Sequence, residues 1–245
     1  SSIANIGMVL GGTAIVVPLS IYGAMLKHEF PALFISMGLA AILVFDDYLD
    51  QLDGLILIFA FLLTLVWLVV VSKKRMNAVT PLLDAEKSKV LSCSLIVVYF
   101  VLGLGILLGG SHLLVLGASE IATYYQVSDF VIGLSIVAVG SSLPELAASI
   151  VAAKKGEHDI ALGNVIGSNL FNMLVVLAMP AFISPGSMPP SLLMRDMPVM
   201  FIFSAVLFFM AYGFGGKKNS ISRVEGVILL SAFLVYNYSL YALYD

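Results

Sequence analysis

Charge is scarce in this sequence, and the residue types that most often carry chemistry are nearly missing. Asp, Glu, Lys and Arg make up 11% of the 245 residues, under half of the roughly 25% usual in soluble globular domains. The single cysteine, Cys93, excludes an internal disulfide and a thiolate metal centre. An unpaired Cys near the start of an apolar helix reads as packing. The three histidines, His28, His112 and His158, lie far from one another and read as structural. A net charge of −3 gives no basic surface for nucleic acid. The chain starts at Ser1, without a methionine and already inside an apolar segment. With no recognisable basic leader and cleavage site, it is expected to be a piece of a longer polypeptide.

What is present is hydrophobic: 60% of the residues, with a mean hydropathy of +1.07. A chain of this kind reads as an all-α bundle of membrane helices in a lipid bilayer. Apolar runs between polar breaks predict eight of them, over 1–19, 29–45, 53–72, 91–123, 128–152, 160–182, 195–213 and 223–243. Lys27, Lys73, Lys74, Arg75, Lys87, Lys89, Lys154, Lys155, Lys217, Lys218 and Arg223 all fall in odd-numbered loops. The positive-inside rule puts those loops in the cytoplasm. The second loop, with Asp46, Asp47, Asp50 and Asp53, is acidic and expected outside; Arg195 is the one exception to the pattern. The longest polar stretch, 73–89, reads as a cytoplasmic linker that divides the chain unequally.

A repeat crosses that division. Laying Ser1 on Ser168 also aligns Asn5 with Asn172, Leu10 with Leu177, Pro18 with Pro185, Pro31 with Pro198 and Phe34 with Phe201. Glu29 falls on Asp196, and Asp53-Gly54 falls on Glu225-Gly226 after a five-residue insertion near 215–220. The loop charges send the two copies through the membrane in opposite directions, and inverted repeats of this kind are a signature of secondary transporters. The second copy has two helices ahead of the matched region, and the first has nothing there. By symmetry, two helices and the start of a third are expected before Ser1.

Two polar runs interrupt the apolar helices: Gly140-Ser141-Ser142-Leu143-Pro144-Glu145 and Gly163-Asn164-Val165-Ile166-Gly167-Ser168-Asn169-Leu170-Phe171-Asn172. A carboxylate at bilayer depth costs about 2.5–3.5 kcal/mol on insertion scales, so Glu145 is a functional candidate by default. Pro144 removes a backbone donor, which can turn the carbonyls near Ala138 and Val139 toward a cavity. Ser141, Ser142, Ser168, Asn169 and Asn172 add hydroxyl or amide oxygens, and the repeat-related Ser1 and Asn5 join them. A carboxylate with neutral oxygens, lacking Cys and His, suits a hard cation: Ca²⁺, Na⁺ or Mg²⁺. Gly11-Gly12 and Gly105-x-x-x-Gly109 read as close-packing positions. Tyr236, Tyr238, Tyr241 and Tyr244 read as an interfacial belt. Gly163 to Gly167 lacks the lysine of a phosphate loop.

These residues resemble the Ca²⁺/cation antiporter superfamily, in its Na⁺/Ca²⁺ exchanger branch with bacterial members. That family carries two inverted α-repeats, each with a G-[ST]-S-[LV]-P-[ED] helix followed by a G-N-x-x-G-S-N helix. Gly140–Glu145 and Gly163–Asn172 match the second repeat, and Ser1-Ser2-Ile3-Ala4-Asn5 resembles the tail of the first, with Ser2 in place of the usual Asn. The resemblance implies an inverted-repeat antiporter bundle, eight helices being present of an expected ten. It implies that Glu145 is the shared Ca²⁺/Na⁺ carboxylate and that Ser141, Ser142, Ser168 and the Ala138 carbonyl add oxygens. Asn169 belongs to the same motif, Asn172 lines the central site, and Ser1 and Asn5 are the surviving first-repeat ligands. Residues 1–72 are then the remainder of the first half, and 90–245 the complete second half.

The reading is a secondary antiporter, not an enzyme. It has no cofactor beyond its transported Ca²⁺ and Na⁺, and it sits in the bacterial inner (plasma) membrane. Its expected partners are those ions, the bilayer, and the missing N-terminal helices or another copy of the chain. Two alternatives stay open: H⁺-coupled Ca²⁺ exchange with Glu145 titrating, or a membrane fragment or assembly module that does not transport by itself.

Overall fold

The computed structural model describes residues 1–21, 23–79, 93–127, 132–189, 191–213 and 219–244. They form eight helical segments, seven of them long and apolar enough to cross a membrane. In chain order these are α1 (Ser2–Val16), α2 (Gly23–Leu43), α3 (Gln51–Val79), α4 (Cys93–Tyr124), α5 (133–154), α6 (His158–Ile183), α7 (Leu192–Tyr212) and α8 (Arg223–Tyr244). The shortest is α1.

Most boundaries fall where the apolar runs end, and two differ in an instructive way. Helix α2 starts at Gly23, not at 29, so Lys27, His28 and Glu29 lie inside it. Hydropathy marks where polarity begins, and a helix whose backbone bonds are internal can continue through that point. For the same reason α3 runs past Ser72 to Val79. Residues 80–89 of the expected linker, with Lys87 and Lys89, lie outside the described residues, as do Lys217 and Lys218.

The apolar core is built from both halves. Val9 and Leu10 of α1, Phe30 and Leu33 of α2, Leu162 and Ile166 of α6, Leu207 of α7 and Leu229 of α8 are all at most 1% exposed and share one cluster. Helix α4 is the opposite case: none of its most apolar window is buried, and it packs chiefly on α5. Its Gly105 and Gly109 have nothing within 4 Å of where a Cβ would stand. Among the described residues, therefore, nothing makes the close packing expected of that motif. Gly11 does meet the expectation, since α8 crosses it backbone to backbone.

Four two-residue strands report the symmetry of the fold. In the first pair β1 (Leu19–Ser20) lies antiparallel to β4 (Ser220–Ile221), with Leu19 opposite Ile221. In the second, β2 (Tyr48–Leu49) lies antiparallel to β3 (Gly186–Ser187), with Leu49 opposite Gly186. The repeat relation carries Leu19 onto Gly186 and, after the five-residue insertion, Leu49 onto Ile221. It thus converts one strand pair into the other without a register slip. The helix starts obey the same relation. Asp50 and Asp53 cap α3 reciprocally, at 3.0 and 2.9 Å, while Ser222 and Glu225 cap α8, at 2.7 and 3.3 Å; both are capping boxes. The inverted repeat is a property of the backbone.

Candidate functional site

The centre of the site is a break in α5. Its first piece ends at Ser141 and its second starts at Leu143, with Ser142 between them at φ −96°, ψ 0°. Pro144 causes the break chemically, because without an N–H it cannot donate to the carbonyl of Gly140 four residues earlier. That carbonyl receives the hydroxyl of Ser111 in α4 instead. One turn earlier, Ser142 N donates to Val139 O at 3.0 Å, three residues back and not four. Ala138 O then accepts the Ser141 hydroxyl at 3.1 Å. The carbonyls of Ala138 and Val139, expected to turn toward a cavity, thus each accept a hydrogen bond within α5. Gly140 is required by contact: α4 passes so close that a Cβ there would overlap Val115.

Glu145 follows in the first turn of the second piece. Its Oε2 is buried and has no hydrogen-bond partner. Its side chain lines a cavity with Ser1, Ser141, Asn164, Ser168 and Asn172. Ser1 and Asn172 also line an adjoining cavity, together with Ala138 and Asp196.

The opposing wall comes from α1 and α6, and both helices widen to π-helical turns there, over Asn5–Leu10 and Asn172–Val176. Each turn begins at an asparagine, and the two asparagines are repeat counterparts. Such widened turns inside α-helices occur often at functional sites. Asn5 is 1% exposed. Its Nδ2 donates to Asn169 Oδ1 at 3.0 Å, and its own Oδ1 is buried without a partner. Asn172 Nδ2 donates to Ser2 Oγ at 3.4 Å. Ser1 Oγ lies 3.4 Å from Ser142 Oγ.

The residues singled out from sequence thus divide by place. Glu145, Ser141, Ser168, Asn172 and Ser1 share one cavity wall. Ala138 lines the neighbouring cavity. Ser142 is fully buried beside Ser1, and Asn169 is buried against Asn5.

Three contributors were missed. Asn164 belongs to a recognised motif but received no role; its Nδ2 lies 3.1 Å from Glu145 O and 3.0 Å from Ser149 Oγ, tying α6 to the turn that carries the carboxylate. Ser111 was not singled out, though a serine amid the apolar run of α4 was the available signal. Tyr236 was read as part of an interfacial belt, but its hydroxyl donates to Asp196 Oδ1 at 2.9 Å, beside the Arg195 Nε contact of 2.7 Å to the same atom. The adjacent Arg195-Asp196 pair hinted at that arrangement, since charges in a membrane helix need a partner.

Comparison with known proteins places this geometry. Residues 95–242 match the family described as sodium/calcium exchanger protein. A relative from Alkalimonas amylolytica named putative antiporter CaxA is 42% identical over 245 residues, which covers 99% of this chain and 76% of the relative. Inner membrane protein YrbG of Escherichia coli is 33% identical over 98% of this chain and 74% of its own length. A solved structure of the sodium-calcium exchanger NCX_Mj superposes with a TM-score of 0.74 at 31% identity, covering 98% of this chain and 73% of that one.

Proposed function

This chain belongs to the sodium/calcium exchanger family, and from that premise we propose that it exchanges Na⁺ for Ca²⁺ at a midplane site built on Glu145. The coarser statement is firm: the chain is an integral membrane protein of a cation/Ca²⁺ antiporter family, of the bacterial inner-membrane kind. The observation that carries the finer one is a pair of orphan oxygens. Glu145 Oε2 and Asn5 Oδ1 are both buried and unpartnered. Leaving a buried acceptor unsatisfied costs about 1–3 kcal/mol, and more if it is charged. A hard cation satisfies oxygens of this kind, and the hydroxyls of Ser141, Ser168 and Ser1 beside Glu145 supply further oxygen ligands of the type Ca²⁺ and Na⁺ accept.

In this reading the two ions compete for one set of oxygens, exposed in turn to each side as one repeat rocks against the other. Residues 1–79, through the end of α3, belong to the first half, the stretch up to 89 links the halves in the cytoplasm, and 90–245 form the second half. The repeat supports one more element. Helix α5 packs along α1, with Leu146 against Gly12. Its counterpart would pack along the matching part of α6, where a cavity is lined by Asn172, Met173, Val176, Leu177 and Pro180. We assign that cavity to a helix bearing the second carboxylate of the site, on the same polypeptide or another copy.

Coupling is tested with the intact protein in sealed vesicles. An imposed Na⁺ gradient is expected to drive uptake of radiolabelled Ca²⁺. Uptake driven by a pH gradient and not by Na⁺ would select H⁺ coupling, with Glu145 titrating.

A further inference from the structure

Asn5 and Asn172, repeat counterparts, are each held by a hydrogen bond to the other repeat. Asn5 donates its amide hydrogen to Asn169 at 3.0 Å, and Asn172 donates to Ser2 at 3.4 Å. The relation that carries Asn5 onto Asn172 also carries Ser2 onto Asn169. The two hydrogen bonds are therefore copies of one contact, exchanged between the repeats. Both acceptors are buried, Asn169 at 1% exposure and Ser2 at 6%.

The contact has a chemical consequence. A primary amide presents either two N–H donors or a carbonyl oxygen, depending on a half-turn of its side chain. A cation accepts only the oxygen. Occupying the nitrogen leaves the oxygen open to a cation, and Asn5 Oδ1 is the buried, unpartnered atom this arrangement produces.

We propose that Asn169 and Ser2 are positioning residues that fix which end of Asn5 and Asn172 meets the transported ion, and that Ser2 makes the second of these tethers the looser one. The proposal rests on the reading that Glu145, Asn5 and Asn172 surround that ion. Two facts make Ser2 the weak partner. Its distance of 3.4 Å lies beyond the usual N–H···O range of about 2.7–3.2 Å. A serine hydroxyl can also donate as readily as accept, so it tolerates either end of the Asn172 amide. Outer partners of this type orient ligands and tune affinity without touching the ion. Ser2 thereby sets the two halves of the site apart: a firmly oriented oxygen from the first repeat and a yielding one from the second.

The test exchanges the two partners in the intact protein, with Ca²⁺ binding titrated by calorimetry at fixed Na⁺. Ser2→Asn is expected to tighten Ca²⁺ binding and Asn169→Ser to weaken it, each by roughly two- to tenfold, the range one hydrogen bond commands. The change in affinity is expected to exceed any change in the maximal exchange rate for both. A purely structural role would lower the yield and the thermal stability of apo protein without splitting affinity from rate. Shifts in the same direction, or no shift, would overturn the proposal. Should Ser2→Asn not fold, Asn169→Ser alone decides by the same criterion. Glu145→Gln is the control: if it leaves Ca²⁺ binding intact, the site itself is misassigned and the proposal falls with it. If it abolishes binding while the exchanges leave affinity unmoved, only the role of Ser2 and Asn169 is refuted.

Discussion

Gly11 of α1 and Gly226 of α8 meet backbone to backbone: a Cβ on Gly11 would stand 2.9 Å from the Gly226 carbonyl oxygen, and one on Gly226 2.8 Å from that of Gly11. Real Cβ atoms essentially never come so near a backbone oxygen, and no flexible side chain is there to yield. Gly226→Ala is therefore expected to force the two helices apart and to destabilise the fold by about 1–3 kcal/mol, as overpacking does. The repeat relation transfers the prediction to Gly54, whose Cβ would meet Ala181 at 2.9 Å. Thermal unfolding of detergent-solubilised Gly226→Ala and Gly54→Ala should show both midpoints lowered. An unchanged midpoint in either would show that the helices can part without cost.

Ser111 gives a second prediction. Its hydroxyl donates to the carbonyl of Gly140, which lacks its helical donor at Pro144 and also receives a backbone N–H at the break. Ser111→Ala removes this side-chain hydrogen bond one turn before Glu145 and is expected to cost about 0.5–1.5 kcal/mol. Ser111→Thr, which keeps the hydroxyl, should restore most of it. Stability that falls equally in both variants would mean that packing against α5, and not the hydrogen bond, is what matters.

The inverted topology is directly measurable. With the native Cys93 replaced, a cysteine at Ser220 in the β1–β4 pair is expected to react with an impermeant thiol reagent from the cytoplasmic side only. A cysteine at Ser187 in the β2–β3 pair is expected to react from the outside only. Labelling of both from one side would contradict the opposed orientation of the two repeats, whatever the sequence match between them.

Much of this architecture was legible in the sequence because the bilayer simplifies the reading. Length and hydropathy suffice to find helices whose backbone bonds must be internal. Misplaced polar residues such as Glu145 and Asn172 announce the site. The constant offset from Ser1–Phe34 to Ser168–Phe201 implied a symmetry that the strand registers Leu19–Ile221 and Leu49–Gly186 reproduce. Contacts between helices were not legible. The effect of Ser2 in place of Asn could not be read until Asn172 was found donating to it. Asn169 is buried against Asn5 while the adjacent Ser168 lines the cavity, a division that hydropathy does not show, because adjacent positions on a helix do not face each other. The start of α2 was misplaced because Lys27, His28 and Glu29 resemble a loop in composition. Tyr236 was taken for an interfacial residue because nothing in its own segment points to Asp196, forty positions away.

The central claim is that Glu145 supplies the carboxylate on which Na⁺ and Ca²⁺ compete, and one substitution tests it most directly. Glu145→Gln keeps the shape of the side chain, removes its charge and replaces one acceptor oxygen with an NH₂ donor that a cation does not accept. Na⁺-gradient-driven uptake of radiolabelled Ca²⁺ is measured in proteoliposomes, for the intact protein and for this variant at matched reconstitution. The account predicts that the parent takes up Ca²⁺ and that the variant takes up none. Uptake by Glu145→Gln at the parental rate would contradict it.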